Sequence, residues 1–311
     1  MTKIISAGID IGGTKANIGI IDEEGKVLIS HRLDVIPEES AEALIVRLGI
    51  TWKELLKSQG YTGKEIRSVG IGVPGTVDSM TGMVEYCPNL GWEDIPAGIL
   101  FRKALDTEVI ITQDSRAAAW AEYLLGAGRG ARSMVCVTIG TGIGCGIVID
   151  GKIFHGAMNT AGELGHTIFS QNGRHCNCGL DGCLERYCSG TGIFERAFES
   201  FPEMFDNRPH RAETVFDLAR QNNADMLKVI QESVIDLSIG IANLVSILSP
   251  EMVIISGGLC EYEDLIIQPL REWVYTNGYH SWSRKKQLQI VKAELGPFAP
   301  MIGAGLLYKD V

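Results

Sequence analysis

The sequence predicts an α/β protein of two domains, built from duplicated halves with a cleft between them. Three observations carry that prediction. DIGGTKANIGIID, starting at Asp10, lies without gaps over TIGTGIGCGIVID, starting at Thr138, so that Ile11, Gly12, Ile20, Ile21 and Asp22 meet Ile139, Gly140, Val148, Ile149 and Asp150. The copies stand 128 residues apart, about one domain length, and an internal repeat sets the architecture before any single element does. Each copy opens a stretch in which short β-rich runs alternate with helical periodicities, and 311 residues suffice for two cores.

The elements follow in order. Ile4 to Asp10 reads as a buried strand, Gly12-Gly13-Thr14 as a tight turn and Ala16 to Ile21 as the returning strand. Glu23-Glu24-Gly25 turns the chain into Val27 to His31, completing a meander. Ala43, Leu44, Leu48, Trp52, Leu55 and Leu56 recur at helical spacing between Ser40 and Gln59. Ser68 to Val73 is a strand that Pro74-Gly75 stops; the turn-rich VPGTVDSMTGMVEYCPNLGW then reads as a loop. Val109 to Thr112 is a strand and the alanine-rich Ser115 to Leu125 a helix. After the second glycine turn, helices are expected over Thr191–Phe201, Thr214–Arg220, Ala224–Leu248, Leu265–Tyr275 and Gly303–Tyr308, with strands at Met252–Ser256 and Leu288–Ala293. The expected division is a smaller N-terminal domain over 1–115, a larger one over 116–295, and a closing helix at about 296–311 packed back on the first.

Charge and cysteine content narrow the function. The 38 acidic against 28 basic residues, net −10, argue against nucleic acid or an anionic membrane as main partner. No secretory pattern opens the chain, and the most apolar runs, Met134–Ile149 and Leu237–Leu248, are too short or too glycine-rich to span a bilayer. Eight cysteines in a chain of this length do not form a disulfide scaffold, so a reducing cytoplasm is expected. Three of them, Cys176, Cys178 and Cys183, fall within eight positions among Gly and Asn, with His166 upstream and Glu163 and Glu185 flanking. C-x-C-x4-C is too cramped for easy disulfides, while Cys3His has the ligand count and softness of a tetrahedral structural zinc site.

The glycine turns suggest phosphate. Without a Cβ, backbone N–H groups can approach phosphate oxygens; Thr14, Lys15 and Thr141 add hydroxyls and a cation, and Gly257-Gly258 forms a third turn after a strand. The first turn lacks the GK[ST] ending of a P-loop, and G-T-G-I-G-C-G misses the dinucleotide pattern. Asp114, where a strand gives way to a helix, suits either a helix N-cap or a general base accepting a hydroxyl proton. Asp10, at the end of a buried strand, suits the orientation of hydrated Mg2+, or simply the start of a turn.

Taken together, DIGGTK, VPGTVD, PNLGW, QDSRAAAWAE, GTGIGCG, GELGH, CNCGLDGCLE and SGG span almost the whole chain and resemble the ROK family of sugar kinases. The resemblance implies the actin-like ATPase (ribonuclease H-like) fold and phosphorylation of a hexose, usually at its terminal hydroxyl, by ATP with Mg2+. It implies Asp114 as catalytic base and Asn89, Asp114, Glu163, His166 and Glu185 as sugar contacts, His166 also serving as a zinc ligand with Cys176, Cys178 and Cys183. Asp10, Gly12, Gly13, Thr14, Lys15, Gly140, Thr141, Gly142, Gly257 and Gly258 are its ATP and Mg2+ positions. A homodimer is also implied. Gln113 stands where the family usually has Asn. PNLGW and GELGH make glucose the first acceptor to expect, ahead of N-acetylmannosamine, which AAAWAE suggests, and allose or fructose. The family's DNA-binding repressors carry a winged helix ahead of DIGGTK, for which the nine preceding residues leave no room; a non-catalytic sugar sensor is the remaining alternative.

Overall fold

The computed structural model describes residues 4–279 and 288–310. Its first sheet has the order β3-β2-β1-β4-β8. β1 (Ile5–Ile11), β2 (Lys15–Asp22) and β3 (Val27–Asp34) form an antiparallel meander, and β4 (Ile66–Val73) and β8 (Val109–Gln113) add in parallel. The second sheet, β11-β10-β9-β12-β13, repeats that plan. β9 (Ser133–Ile139) and β10 (Ile143–Ile149) are followed by the short β11 (Lys152–Ile153), and β12 (Met252–Ser256) and β13 (Gln289–Lys292) run parallel beyond β9. Adding 128 to the limits of β1 gives those of β9, and adding it to the start of β2 gives the start of β10. The duplication read from thirteen aligned residues therefore holds at the level of sheet topology.

Three elements differ from the sequence reading. The helix expected over Gly303–Tyr308 lies earlier, at Ala299–Gly305, with a 3-10 turn at Leu307–Lys309. The segment read as loop folds into a three-stranded antiparallel sheet of β5 (Thr76–Asp78), β6 (Met83–Cys87) and β7 (Trp92–Ile95). Val77, Val84, Cys87 and Trp92 are buried there. Strands of three to five residues separated by Gly and Pro leave too few alternations for period two to show. A helix, α2 (Ala97–Leu105), follows; its buried Ala97, Phe101 and Leu105 recur every fourth residue over only two turns. Within α1 (Ala41–Ser58), Ser40 caps the Ala43 amide, but Ala43, counted among the apolar positions, is exposed, and the buried face is Ala41, Leu44, Ile45, Leu48, Trp52, Leu55 and Leu56.

Contacts divide the chain into two compact units, Met1–Arg132 with Gly146–Gly162 and Glu294–Val311, and Ser133–Cys145 with Glu163–Ala293. The first is organised on α3 (Asp114–Leu125), buried from Ser115 through Glu122. α9 (Ala299–Gly305) packs on α3, β1 and β4. The approach is so close that a Cβ on Gly303 would stand 1.7 Å from the Ala117 carbonyl oxygen, and one on Gly146 would stand 2.4 Å from Ala119 Cβ. Trp120 Nε1 donates to the Leu306 carbonyl at 3.0 Å, and the buried Glu122 carboxylate accepts from the Ala127, Glu294 and Leu295 amides. A buried carboxylate facing three N–H groups is satisfied without a cation.

The second unit holds α4 (Glu185–Cys188), α5 (Gly190–Ser200), α6 (Ala212–Arg220), α7 (Ala224–Leu248) and α8 (Ile267–Asn277). Asn223 caps α7 by accepting from Met226 N, and the helix ends at Ser249 in the left-handed conformation. At 25 residues α7 is long and apolar enough to cross a membrane by length and composition, which the shorter run weighed in the sequence was not. One such helix is weak evidence, because a core helix passes the same test, and α7 packs against α4, α5, α6 and α8.

Gly303→Ala is expected to lower the unfolding free energy by at least about 1–3 kcal/mol, because the added methyl meets rigid backbone. Urea unfolding measures it, and a wild-type midpoint would refute the close-packing account.

Candidate functional site

In the first unit, β1 delivers Asp10 to the edge of the Gly12-Gly13 turn, which Gly12 N closes by donating to Lys15 O at 2.8 Å. In the sheet, Asp10 lies beside Asn17 on one side and Gly72 on the other, and Asn17 Nδ2 donates to its Oδ2 at 3.4 Å. β8 runs directly into α3, so Asp114 becomes the first residue of that helix. The N-cap position belongs to Gln113, which corrects the capping alternative for Asp114. Asp114 Oδ1 instead accepts from Ser115 N at 2.6 Å, placing its charge at the positive end of the helix dipole. Gly72 leaves room for it, since a Cβ there would lie 3.3 Å from Asp114 Cα.

Asp10 and Asp114 are close enough to sense each other. Burial, followed by the Asp114 charge and against the Asn17 hydrogen bond, raises the Asp10 carboxyl from 3.8 to about 7. The buried Cys87 thiol is pushed to about 11, mainly by desolvation and partly by the same Asp114 charge, which brings the end of β6 to this corner. Asn89, two residues on, lies against the glycine turn, its Cβ 3.5 Å from where a Gly13 Cβ would stand. Asp10, Gly12, Gly13, Asn89 and Asp114 are thus brought together. Thr14 and Lys15 lead away into β2 with exposed side chains, the Thr14 carbonyl accepting from Val35 N. A pair of facing carboxylates beside a glycine turn suits a divalent cation, whose charge would offset the cost of ionising both.

In the second unit the Gly140–Gly142 turn is closed by Gly140 N donating to Gly142 O at 3.0 Å. Gly257, at φ 90°, lies against β9: a Cβ there would be 2.4 Å from Ile139 O. The second and third glycine turns therefore meet at the end of β9. Glu185 stands at the start of α4, and its Oε2 accepts from Ile143 N at 2.7 Å. Glu163 precedes the short 3-10 turn Leu164–His166, in which Gly165 approaches the Ile143 carbonyl closely. Glu185 and the turn that follows Glu163 thus both approach Ile143.

The ligand atoms of His166, Cys176, Cys178 and Cys183 all lie within 4.8 Å of one another. His166 Nδ1 is 3.7 Å from Cys176 Sγ, and the Sγ atoms of Cys178 and Cys183 are 3.5 Å apart. A tetrahedron with zinc bond lengths has N–S and S–S edges of about 3.6 and 3.8 Å, so the cage has the dimensions for such an ion. Burial pushes the Cys176 and Cys183 thiols up, so their thiolates need a cation beside them. The loop is pinned independently by Cys176 N to Leu180 O, Gly182 N to Arg174 O, and Arg174 N to the Tyr187 hydroxyl.

Sequence reading missed four residues that shape these sites. Asn17, Gly72 and Tyr187 leave no local signal, since their roles come from strand register or a long-range contact. Thr191, which bonds the second glycine turn, sits in a Ser-Gly-Thr-Gly run that could have drawn notice.

Comparison with known proteins bears on the whole chain. The model of the ROK family matches residues 6–311. A glucokinase of Thermotoga maritima is 33% identical, the alignment covering 100% of this chain and 99% of that protein. The structure of a ROK family glucokinase from Streptomyces griseus in complex with glucose and AMPPNP superposes with a TM-score of 0.83 at 30% identity, covering 97% of this chain and 98% of that one. A xylose repressor of Bacillus subtilis is 26% identical over 98% of this chain and 77% of its own length.

The raised Asp10 carboxyl predicts a pH-dependent cost. Between 3.8 and about 7 the folded chain keeps a proton that the unfolded chain has lost, so stability falls as pH rises through that window. Asp10→Asn is expected to stabilise the protein at pH 8 in Mg2+-free buffer by about 2–4 kcal/mol, the gain vanishing toward pH 4. Urea titrations at both pH values measure it; a gain independent of pH, or a loss at pH 8, would contradict the pairing.

Proposed function

The chain belongs to the ROK family, and from that we propose that it transfers the γ-phosphoryl group of ATP to the 6-hydroxyl of a hexose, glucose first. The observation that carries the reading is Asp114 at the head of α3 with the Asp10 carboxyl beside it and a glycine turn against both. Support for glucose comes from full-length similarity to glucokinases. N-acetylmannosamine, allose and fructose are the next acceptors to try.

In this mechanism Asp114 accepts the proton of the primary hydroxyl as that oxygen attacks phosphorus. Asn89, Glu163, His166 and Glu185 hold the other sugar hydroxyls, so that only one oxygen faces Asp114; fixing that orientation supplies much of the rate. Amides of the three glycine turns that are not spent closing them, Gly13 and Thr14, Thr141 and Gly142, and Gly257 and Gly258, bind the phosphates with Lys15. Mg2+, when bound near Asp10, neutralises charge on the transferring group. Excluding water keeps ATP from hydrolysis.

We assign zinc to the Cys3His cage, where it would fix the loop between Glu163 and Glu185. His166, with Nδ1 turned to the cage, would keep Nε2 for the sugar. A homodimer and a reducing, cytoplasmic setting, in keeping with eight free thiols, complete the proposal.

A coupled ADP-release assay over hexoses and N-acetylhexosamines tests the activity. Turnover on one sugar is expected. Sugar binding without turnover, in folded and zinc-loaded protein, would favour a sensor instead, the alternative that similarity to a repressor keeps open. Asp114→Asn should lower kcat by roughly 10²–10⁴-fold while leaving sugar affinity nearly intact; an active variant would defeat the base assignment. Emission spectroscopy should find about one zinc per chain, and Cys178→Ser should lose it and bind sugar more weakly. Unchanged sugar affinity in verified zinc-free protein would break that link.

A further inference from the structure

We propose that Glu185 is also a positioning residue for the Gly140–Gly142 turn, so that one carboxylate serves both substrates. The inference rests on the reading of that turn as a phosphate cradle and of Glu185 as a sugar contact. Its two oxygens are differently placed. Oε2 accepts from Ile143 N at 2.7 Å, and a Cβ on Gly142 would meet it at 2.3 Å; Oε1 stands farther from that point, at 3.7 Å. A side chain at 142 would push this carboxylate aside, so glycine there leaves Oε2 its place against Ile143 N.

The opposite side of the turn is held by the start of α5. Gly190 N donates to Gly140 O at 2.8 Å, and Thr191 donates to Thr141 O through Oγ1 at 2.9 Å and through its amide at 3.3 Å. In a trans peptide the C=O of one residue and the N–H of the next point in opposite directions. Drawing the Gly140 and Thr141 carbonyls toward α5 therefore turns the Thr141 and Gly142 amides away from it, as two consecutive donors. Glu185 engages the next amide, Ile143, and fixes where that pair ends. Thr191 is a second positioning residue of the same turn.

This arrangement links three things along one short path. Glu185 lies two residues after the cage ligand Cys183, opens α4, and bonds the turn. A sugar hydroxyl drawing on Oε1 would further restrain the carboxylate whose Oε2 holds Ile143. Sugar and nucleotide should then favour each other's binding, through a side chain rather than through direct contact.

The test is titration of a non-hydrolysable ATP analogue with Mg2+ in the absence of any sugar, by calorimetry. Glu185→Ala is expected to weaken nucleotide binding about tenfold, as fits loss of one charge-assisted hydrogen bond. Glu185→Gln, whose amide oxygen can still accept from Ile143 N, should stay within about twofold of wild type while binding sugar more weakly. Thr191→Val should weaken nucleotide a few-fold and leave sugar affinity unchanged. A residue acting only on sugar would alter none of the sugar-free titrations. Wild-type nucleotide affinity in Glu185→Ala overturns the proposal, as does equal weakening in Glu185→Ala and Glu185→Gln. Should Glu185→Ala not fold, exchange of the Ile143 amide in wild type decides: slow exchange is expected, and exchange at an open-loop rate overturns it. A wild-type chain that binds nucleotide but phosphorylates no sugar would defeat the kinase reading and leave this inference standing.

Discussion

Backbone-to-backbone approach around α3 is the constraint on which the first unit depends. Gly146 on β10 and Gly303 on α9 leave no space for a Cβ against this helix, and one on Gly72 of β4 would press on Asp114 Cα at 3.3 Å. Its own contribution is equally small, because Ala117, Ala118, Ala119 and Ala121 face the surrounding elements. A helix clad in alanine and lined by glycine has few ways to shift, since interiors packed this closely deform little. Position, rather than chemistry, is what that arrangement secures. Asp114 is a carboxylate on an ordinary residue type, and its value lies in being fixed at the head of an immobile helix.

The charges then fall where the packing allows them and nowhere comfortable. Burial and the Asp114 charge oppose ionisation of Asp10, raising its carboxyl to about 7, and burial likewise holds two thiols of the cage above their ordinary range. Glu122 shows the contrast. It is fully buried, yet backbone amides satisfy it, so it reads as structural. Buried acids met by several backbone amides hold a fold together, whereas acids or thiols crowded together at a buried site suit a cation.

Much of this was legible in the sequence, for identifiable reasons. The duplicated hairpin shows because glycine and β-branched residues recur at fixed offsets, and the cage shows because its three thiols are local in the chain. Asp10 and Asp114 could be picked out singly, at strand ends. The perturbation of Asp10 by Asp114 could not, since it depends on β1, β4 and β8 lying side by side in that order. The β5–β7 sheet stayed hidden because its strands are shorter than the window over which alternation can be read. The bond from Ile143 to Glu185 joins residues 42 apart in sequence, and neither residue type announces it.

The duplication also explains how one supersecondary unit can support two kinds of binding. Both copies carry a strand, a glycine turn and a returning strand, but they differ at the strand's end: Asp10 in the first, Thr138 in the second. With an acid there, and a second acid brought beside it from α3, the first turn is the one to which the proposed function gives the cation. With a neutral hydroxyl there, the second turn keeps only its amides, aimed by the partners its carbonyls find on α5. Phosphoryl transfer needs both, a cation to take up charge and amides to receive oxygen. The two tasks proposed for the turns therefore follow from differences within a repeated unit, Asp10 against Thr138 and Lys15 against Ile143 among them, with no change in the strand order that both halves retain.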